Sequence, residues 1–104
     1  MRPVLHGDVS NAARALLNVP RALRRDLCAR MMREAEAADV YARRAGRLHP
    51  FWGNGSLMSA ARKRVLADEP TFDDMEYCAC FEMVLRGLFD FRVPADPGPA
   101  PKNG

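Results

Sequence analysis

The sequence predicts an all-α fold, a small helical domain with one long central helix. Apolar residues recur at the three- and four-residue spacing of amphipathic helices in several segments, and prolines and glycines separate these segments. The period-two alternation that is typical of half-buried strands extends over no more than a few residues. With 104 residues, 48% of them hydrophobic, the chain can form a single domain around a small core.

The first two predicted helices meet at Pro20. Asp8 is a suitable N-cap for the first helix, which should end near Asn18 because a residue that precedes a proline, here Val19, disfavours helical geometry. Pro20 then suits the first position of a second helix, which can continue to Ala45.

The second helix is long for so small a protein. It would extend over roughly 39 Å if it ends at Ala45, where Gly46 can adopt the left-handed conformation that stops helices. A helix of this length needs a packing partner along its apolar stripe, and one short chain offers few, so we expect self-association into a homo-oligomer. The stripe comprises Leu23, Leu27, Cys28, Met31, Ala35, Ala38, Tyr41, Ala42 and Ala45, with Arg24 and Glu34 intruding on it. The predicted oligomerisation residues are Leu27, Met31, Ala35, Ala38 and Ala42.

A short third helix is predicted after the connector at 46–55. Ser56 is a good N-cap, and the helix should continue from Leu57 to about Ala67, where Asp68-Glu69-Pro70 ends it. The side chains expected to face the core are Leu57, Met58, Ala61 and Val65.

The last helix begins at a predicted capping box. Asp73 as the N-cap and Glu76 three residues later fit the pattern, and Phe72 and Tyr77 are placed to form its hydrophobic staple. The helix should continue to about Phe91. The side chains expected to be buried are Met75, Cys78, Phe81, Leu85, Leu88 and Phe89. Residues 1–92 therefore make up the helical domain, and residues 93–104, with four prolines and two glycines, are predicted to be a disordered tail.

The charge of the chain is divided between its two parts. From Arg14 to Ala67, twelve basic residues stand against four acidic ones, whereas Asp68 to Asp90 holds seven acidic residues and one basic residue. Either the basic part contacts nucleic acid and the acidic part a basic partner, or the two parts pair within the fold or between subunits. The candidate DNA contacts are Arg21, Arg25, Arg43, Arg44, Arg47, Arg62, Lys63 and Arg64. The acidic candidates for contact with a partner protein are Asp68, Glu69, Asp74 and Glu82.

Two large aromatic residues, Phe51 and Trp52, lie in the connector between the second and third helices. Connectors are usually polar, and large aromatic side chains usually belong to packed elements. Either the connector folds back onto the corner between the two helices, or it presents Phe51 and Trp52 as a contact for a partner protein or for bases.

No signature of catalysis or of cofactor binding is present. Metalloprotease, phosphate-loop and nucleophile-elbow motifs are absent, and neither His6 nor His49 has an evident set of co-ligands for a metal. We therefore expect a protein that is not an enzyme, has no cofactor and binds no metal; the rival hypothesis is a small enzyme that uses His49 with Asp73 and Asp74. Three cysteines, no apolar leader and no membrane-length apolar run predict reduced thiols, a cytoplasmic location and no membrane contact.

Three segments carry a resemblance to a known family. They are residues 1–17 (MRPVLHGDVSNAARALL), 47–62 (RLHPFWGNGSLMSAAR) and 72–78 (FDDMEYC), and the resemblance extends over residues 1 to about 92. The sequence is similar to the small terminase subunits of alphaproteobacterial gene transfer agents, which are phage-like particles that package host DNA. Small terminases typically combine an N-terminal helix-turn-helix DNA reader, a helical core that forms a ring, and a C-terminal segment that contacts the large terminase motor.

The resemblance implies a DNA-packaging factor without an active site of its own. It would form a homo-oligomeric ring, bind double-stranded DNA weakly and without sequence specificity, and engage the large terminase subunit. This chain is too short for all three parts, and its first helix is not visibly half of a helix-turn-helix, which argues against sequence-specific binding. The alternative is an adaptor or regulatory protein of a phage-like module that does not bind DNA.

Overall fold

Four helices form the domain in a computed structural model that describes residues 1–92. They are α1 (His6–Leu17), α2 (Arg21–Ala45), α3 (Leu57–Ala61) and α4 (Met75–Arg92), and the residues described contain no strand. The all-α prediction is therefore confirmed. The predicted tail, residues 93–104, lies outside the described residues.

Both α1 and the long α2 pack against each of the other three helices, and α1 makes close contacts on several sides. Alanines 12, 13 and 15 have no exposed surface, so α2, α3 and α4 can approach the α1 backbone closely. The prediction that Asp8 is the N-cap of α1 is wrong: Leu5 is the N-cap, and Asp8 lies within the first turn, where it is buried. Its carboxylate accepts the Leu5 N–H at 2.8 Å and the Met58 N–H at 2.8 Å, which ties the start of α1 to α3.

The predicted bounds of α2 are confirmed at its C-terminus, where Gly46 has the left-handed φ of 72°. Pro20 caps the helix in extended geometry rather than occupying its first turn. The predicted stripe is only partly correct, because Leu23 is 55% exposed while Arg24 and Met32 are buried.

Three of the predicted oligomerisation residues belong to the core of the single chain. Met31, Ala35 and Ala38 have no exposed surface, because the other helices of the same chain cover them. Leu27 and Ala42 are partly exposed. The prediction that this stripe is an intersubunit surface is therefore corrected: contacts within the chain already fill its middle.

The third helix is shorter than predicted. Its N-cap is Ser56, whose hydroxyl accepts the Ser59 N–H at 3.1 Å, as expected, but the helix ends at Ala61. Beyond that point two hydrogen bonds join Arg14 to Ala67. The Arg14 Nε donates to the Ala67 carbonyl at 2.7 Å, and the Ala67 N–H donates to the Arg14 carbonyl at 3.1 Å. Val65, predicted to be buried, is consequently 74% exposed.

The last helix presents largely a different face to the core from the one predicted, and of the predicted residues only Leu88 is buried. Its buried side chains are Tyr77, Cys80, Val84 and Leu88. Met75, Leu85 and Phe89 are instead at least half exposed. The N-cap is Asp74, not Asp73, since its Oδ1 accepts the N–H groups of Glu76 at 2.9 Å and Tyr77 at 3.1 Å.

Candidate functional site

The predicted DNA contacts do not converge on one spot. Arg21 and Arg25 lie at the start of α2, whereas Arg43 and Arg44 lie at its end and Arg47 just beyond. Arg21 and Arg43 are separated by roughly 33 Å along the helix axis. The remaining members, Arg62, Lys63 and Arg64, follow the C-terminus of α3.

Three of these cations are engaged by carboxylates within the chain. Arg64 forms a bidentate pair with Glu34 at 2.7 and 2.9 Å, and its side chain is only 20% exposed. Arg21 lies 3.4 Å from Glu76, and Arg43 lies 3.4 Å from Asp39. Among the predicted DNA contacts, the cations that are exposed and have no carboxylate partner within residues 1–92 are Arg25, Arg44, Arg47, Arg62 and Lys63.

Two further exposed arginines lie in the middle of α2, between the basic residues at its two ends. Arg30 and Arg33 are exposed, have no ion pair among the described residues, and were not among the predicted DNA contacts. At 100° per residue, both lie within about 60° of Arg44 on the outward side of α2. We call Arg30, Arg33 and Arg44 the outer basic row; it extends over roughly 21 Å of the helix. Helical periodicity alone could have identified it, because its members lie opposite the buried Met31 and Ala35.

The connector between α2 and α3, residues 46–56, is termed the aromatic loop. His49 forms an antiparallel bridge with Gly53, and its ring stacks on Trp52 with centroids 4.6 Å apart and meets Tyr41 edge-on at 4.9 Å. Its Nδ1 accepts the N–H groups of Phe51 and Trp52, both at 3.0 Å, which assigns the ring proton to Nε2. Trp52 is partly buried in this stack, as the folded-back interpretation expects, whereas Phe51 is 69% exposed, and its contact with a partner or with bases stays a prediction.

The aromatic loop is fixed to α2 by a close backbone contact. Gly55 has a φ of 91°, and a Cβ there would lie 2.7 Å from the Cα of Asp39. The Gly55 carbonyl accepts the Arg2 N–H at 2.9 Å. On the α3 side, Asn54 Oδ1 accepts the Ser56 N–H and the Ser59 hydroxyl, both at 2.9 Å. The exposed Phe51 and the nearby Arg47 are thus carried by a loop that is anchored on both sides.

The acidic part of the chain, residues 68–90, forms few ion pairs with the basic part, residues 14–67. Among its seven acids, Glu76 alone has a cationic partner within residues 1–92, through Arg21 and Arg24. Asp74 has a structural role as the cap of α4, so its predicted freedom to bind a partner is corrected. Asp68, Glu69 and Glu82 are exposed. Pairing of the two charged parts within the fold is therefore limited to one residue.

A family model described as a domain of unknown function (DUF7742) matches residues 2–88. The chain belongs to this family. Neither the curated proteins nor the solved structures compared with it gave a significant match. The matched region of the DUF7742 domain includes the outer basic row, the aromatic loop and all but the end of α4.

The titratable side chains of the DUF7742 domain have local structural roles. His49 bonds within the aromatic loop, and Asp74 bonds at the start of α4, so neither is aimed at the other. Burial raises the pKa of the Cys28 thiol to about 11 and also raises that of Cys80, which keeps both thiols protonated and weakly nucleophilic near neutral pH. Within residues 1–92 no three His, Cys, Asp or Glu side chains converge as metal ligands would.

Within residues 1–92, no helix of the DUF7742 domain is both long enough and apolar enough to cross a membrane.

Proposed function

We propose that this protein is a small-terminase-like DNA-packaging factor of a phage-like particle, of the kind found in gene transfer agents. In the cytoplasm it binds double-stranded DNA weakly and without sequence specificity, associates with further copies of itself, and engages a large terminase motor. It performs no chemistry of its own. The resemblance of residues 1–17, 47–62 and 72–78 suggests this role, and the arrangement of charge supports it.

The observation that carries the proposal is the outer basic row. Arg30, Arg33 and Arg44 project from one side of α2; of the acids nearby, Glu34 is engaged by Arg64 and Asp39 by Arg43, whereas Asp26, four residues before Arg30, is exposed and offsets part of the charge at that end of the row. Arginines in a line along a straight helix can contact successive phosphates of a duplex. Because phosphates carry no sequence information, such contact gives weak and sequence-indifferent binding that depends on counterion release.

The position of α1 supports the absence of sequence reading. A recognition helix must present several side chains to base edges in the major groove. In α1, by contrast, all residues from Asp8 to Ala13 are buried beneath the other helices. No residue of this segment can reach a base edge without unfolding of the domain.

The experiment that tests the proposal is retention of unrelated duplex DNAs as salt is raised. Fluorescence anisotropy with two duplexes of different sequence should give the same affinity, falling steeply from about 50 to about 200 mM salt. Failure to retain either duplex at the lower salt concentration would exclude DNA contact by the chain alone.

An adaptor that does not bind DNA is the second candidate. The observation in its favour is that Arg21, Arg43 and Arg64, three of the predicted DNA contacts, are paired with carboxylates. Arg43 and Arg44 also lie in the last turn of α2, where cations stabilise the helix dipole whether or not DNA is present. The salt titration separates the two candidates, because only a DNA-binding protein retains the duplex at all.

A further inference from the structure

The last helix has a second apolar stripe that faces solvent. While Tyr77, Cys80, Val84 and Leu88 are buried in the core, Leu85 is 50% exposed and Phe89 is 65% exposed. Both line a cavity of about 390 Å³ between α4 and the start of α1, where Leu5 is 70% exposed. Contacts within residues 1–92 thus leave half or more of the Leu85 and Phe89 surface exposed. Contiguous exposed apolar surface of this kind marks interaction sites.

The stripe has the spacing of a coiled-coil seam. Its residues alternate three and four apart, and they are Met75, Cys78, Glu82, Leu85, Phe89 and Arg92. Two positions of the seam are charged, Glu82 and Arg92. Neither has an ion-pair partner within residues 1–92. A charge within an apolar seam is stable when the opposing helix supplies the opposite charge.

We infer that this stripe is the contact with a second copy of the chain, in which two α4 helices pack antiparallel about a two-fold axis level with Gly87. This register places Glu82 opposite Arg92 of the second copy. It also places Leu85 opposite Phe89 of the second copy. By symmetry each contact is made twice, so two ion pairs flank two leucine–phenylalanine contacts.

Self-complementarity is what identifies the occupant as a second copy. The same helix supplies both members of the ion pair and both members of the apolar pair, at equal distances on either side of Gly87. Antiparallel packing also opposes the two helix dipoles favourably. An acidic or basic partner of another kind would match Glu82 or Arg92 but not both.

This inference rests on the proposed function, which includes self-association, and assigns that self-association to the exposed stripe of α4. An isologous contact closes at two copies, so the expected ring would need a further, heterologous contact elsewhere. The geometry of the stripe does not depend on DNA binding, and the two proposals can fail separately.

The test is a charge exchange in the full chain, measured by light scattering at tens of micromolar. The unaltered chain should have about twice its mass of 11.6 kDa. Glu82→Arg and Arg92→Glu each place like charges opposite one another twice, so each should weaken association by at least about tenfold. The double variant Glu82→Arg/Arg92→Glu restores opposite charges and should restore the dimer. Asp26→Arg, the same charge change at an exposed position of α2 that has no ion pair within residues 1–92, is the control and should leave the dimer intact.

Three results would overturn the α4 contact. They are a monomeric unaltered chain, an assembly whose mass Glu82→Arg does not change, and single variants that dissociate without rescue by the double variant while circular dichroism reports intact helices. DNA retention measured on the same samples keeps the two proposals apart. A monomer that binds DNA removes the α4 contact alone, and a dimer that does not bind DNA removes the packaging role alone.

Discussion

The guanidinium of Arg24 lies 3.3 Å from the carboxylate of Glu76 and joins the start of α2 to the start of α4. The same guanidinium donates to two carbonyls in the last turn of α1, those of Leu16 at 2.8 Å and Leu17 at 3.3 Å, and to that of Val19 just beyond the helix at 3.1 Å. Arg24 is buried, although the sequence suggests only that it interrupts an apolar stripe. It satisfies the carbonyls that an α-helix leaves unpaired at its C-terminus.

Removal of the Arg24 guanidinium should therefore destabilise the fold strongly. Arg24→Met keeps the apolar stem but removes the guanidinium donor to the partly buried Leu17 and Val19 carbonyls, while the Leu16 carbonyl keeps the Val19 N–H, at a cost of about 1–3 kcal/mol in the free energy of unfolding. Glu76→Gln should cost less than about 1 kcal/mol, because the Glu76 side chain is 48% exposed and solvent screens its charge. Urea unfolding of both variants measures the difference. Equal losses would show that the ion pair, and not the capping of α1, is the larger contribution.

The sequence predicts the C-terminus of α2 and the N-terminus of α3 correctly, but not the buried face of α4. Gly46 and Ser56 act through their own backbone and side-chain chemistry, so a local pattern is enough to identify them. The buried face of α4 could not be chosen in the same way, because the stripe containing Leu85 and the stripe containing Val84 are both apolar. Only the packing of α1 against α4 decides between them.

The early end of α3 has a similar cause. Continuation beyond Ala61 is opposed by contacts distant in sequence, between Arg64 and Glu34 and between Arg14 and Ala67. No local pattern encodes these pairs. The candidate site shows the same limit. Helical spacing identifies the outer basic row, but only the folded structure shows that Arg64 is paired with Glu34 and is therefore not free to contact DNA.

Two adjacent aspartates at the start of α4 have different expected effects on stability. Asp74→Ala removes the acceptor for the Glu76 and Tyr77 N–H groups and should cost about 1 kcal/mol. Asp73→Ala should cost less than about 0.5 kcal/mol, because the Asp73 carboxylate makes only a 3.4 Å contact with the Thr71 hydroxyl. Thermal unfolding of the pair checks this order, and the reverse order would reinstate Asp73 as the cap.

The aromatic loop should depend on Gly55 more than on Gly46. Both have positive φ, 91° and 72°, so alanine is strained at either position. At Gly55 the added Cβ would also lie 2.7 Å from the Asp39 backbone, whereas at Gly46 it would meet no atom within 4 Å. We expect a loss of about 1 kcal/mol for Gly46→Ala and about 2–4 kcal/mol for Gly55→Ala. Similar losses in urea unfolding would mean that the loop moves away from α2 without penalty.

Buried Cys28 should make the fold sensitive to alkaline pH. Burial raises its pKa from 9.0 to about 11, so the unfolded chain loses this proton at a lower pH than the folded chain. The contribution to stability is complete below about pH 9 and is lost as pH rises through about 11, by about 2–3 kcal/mol. Cys28→Ala should show a shallower decline over this range in urea unfolding under reducing conditions. Parallel curves for the two proteins would contradict the raised pKa of the Cys28 thiol.

The outer basic row makes the most direct prediction about function. Replacing Arg30, Arg33 and Arg44 with alanine removes three exposed charges without removing an ion pair of the described fold. If each contacts a phosphate, the slope of log affinity against log salt should become shallower by up to about 0.9 per residue, equally for unrelated duplexes.

Arg64→Ala is the matched control from the predicted set, because Glu34 already neutralises Arg64. The affinity for DNA should be unchanged provided that circular dichroism shows a folded domain. If Arg64→Ala weakens binding as much as an outer-row substitution does, DNA competes with Glu34 for Arg64, and the interface lies on the α3 side of α2. If neither variant changes the affinity of a chain that does bind DNA, the contact does not involve α2, and Arg62 and Lys63 become the cations to test next.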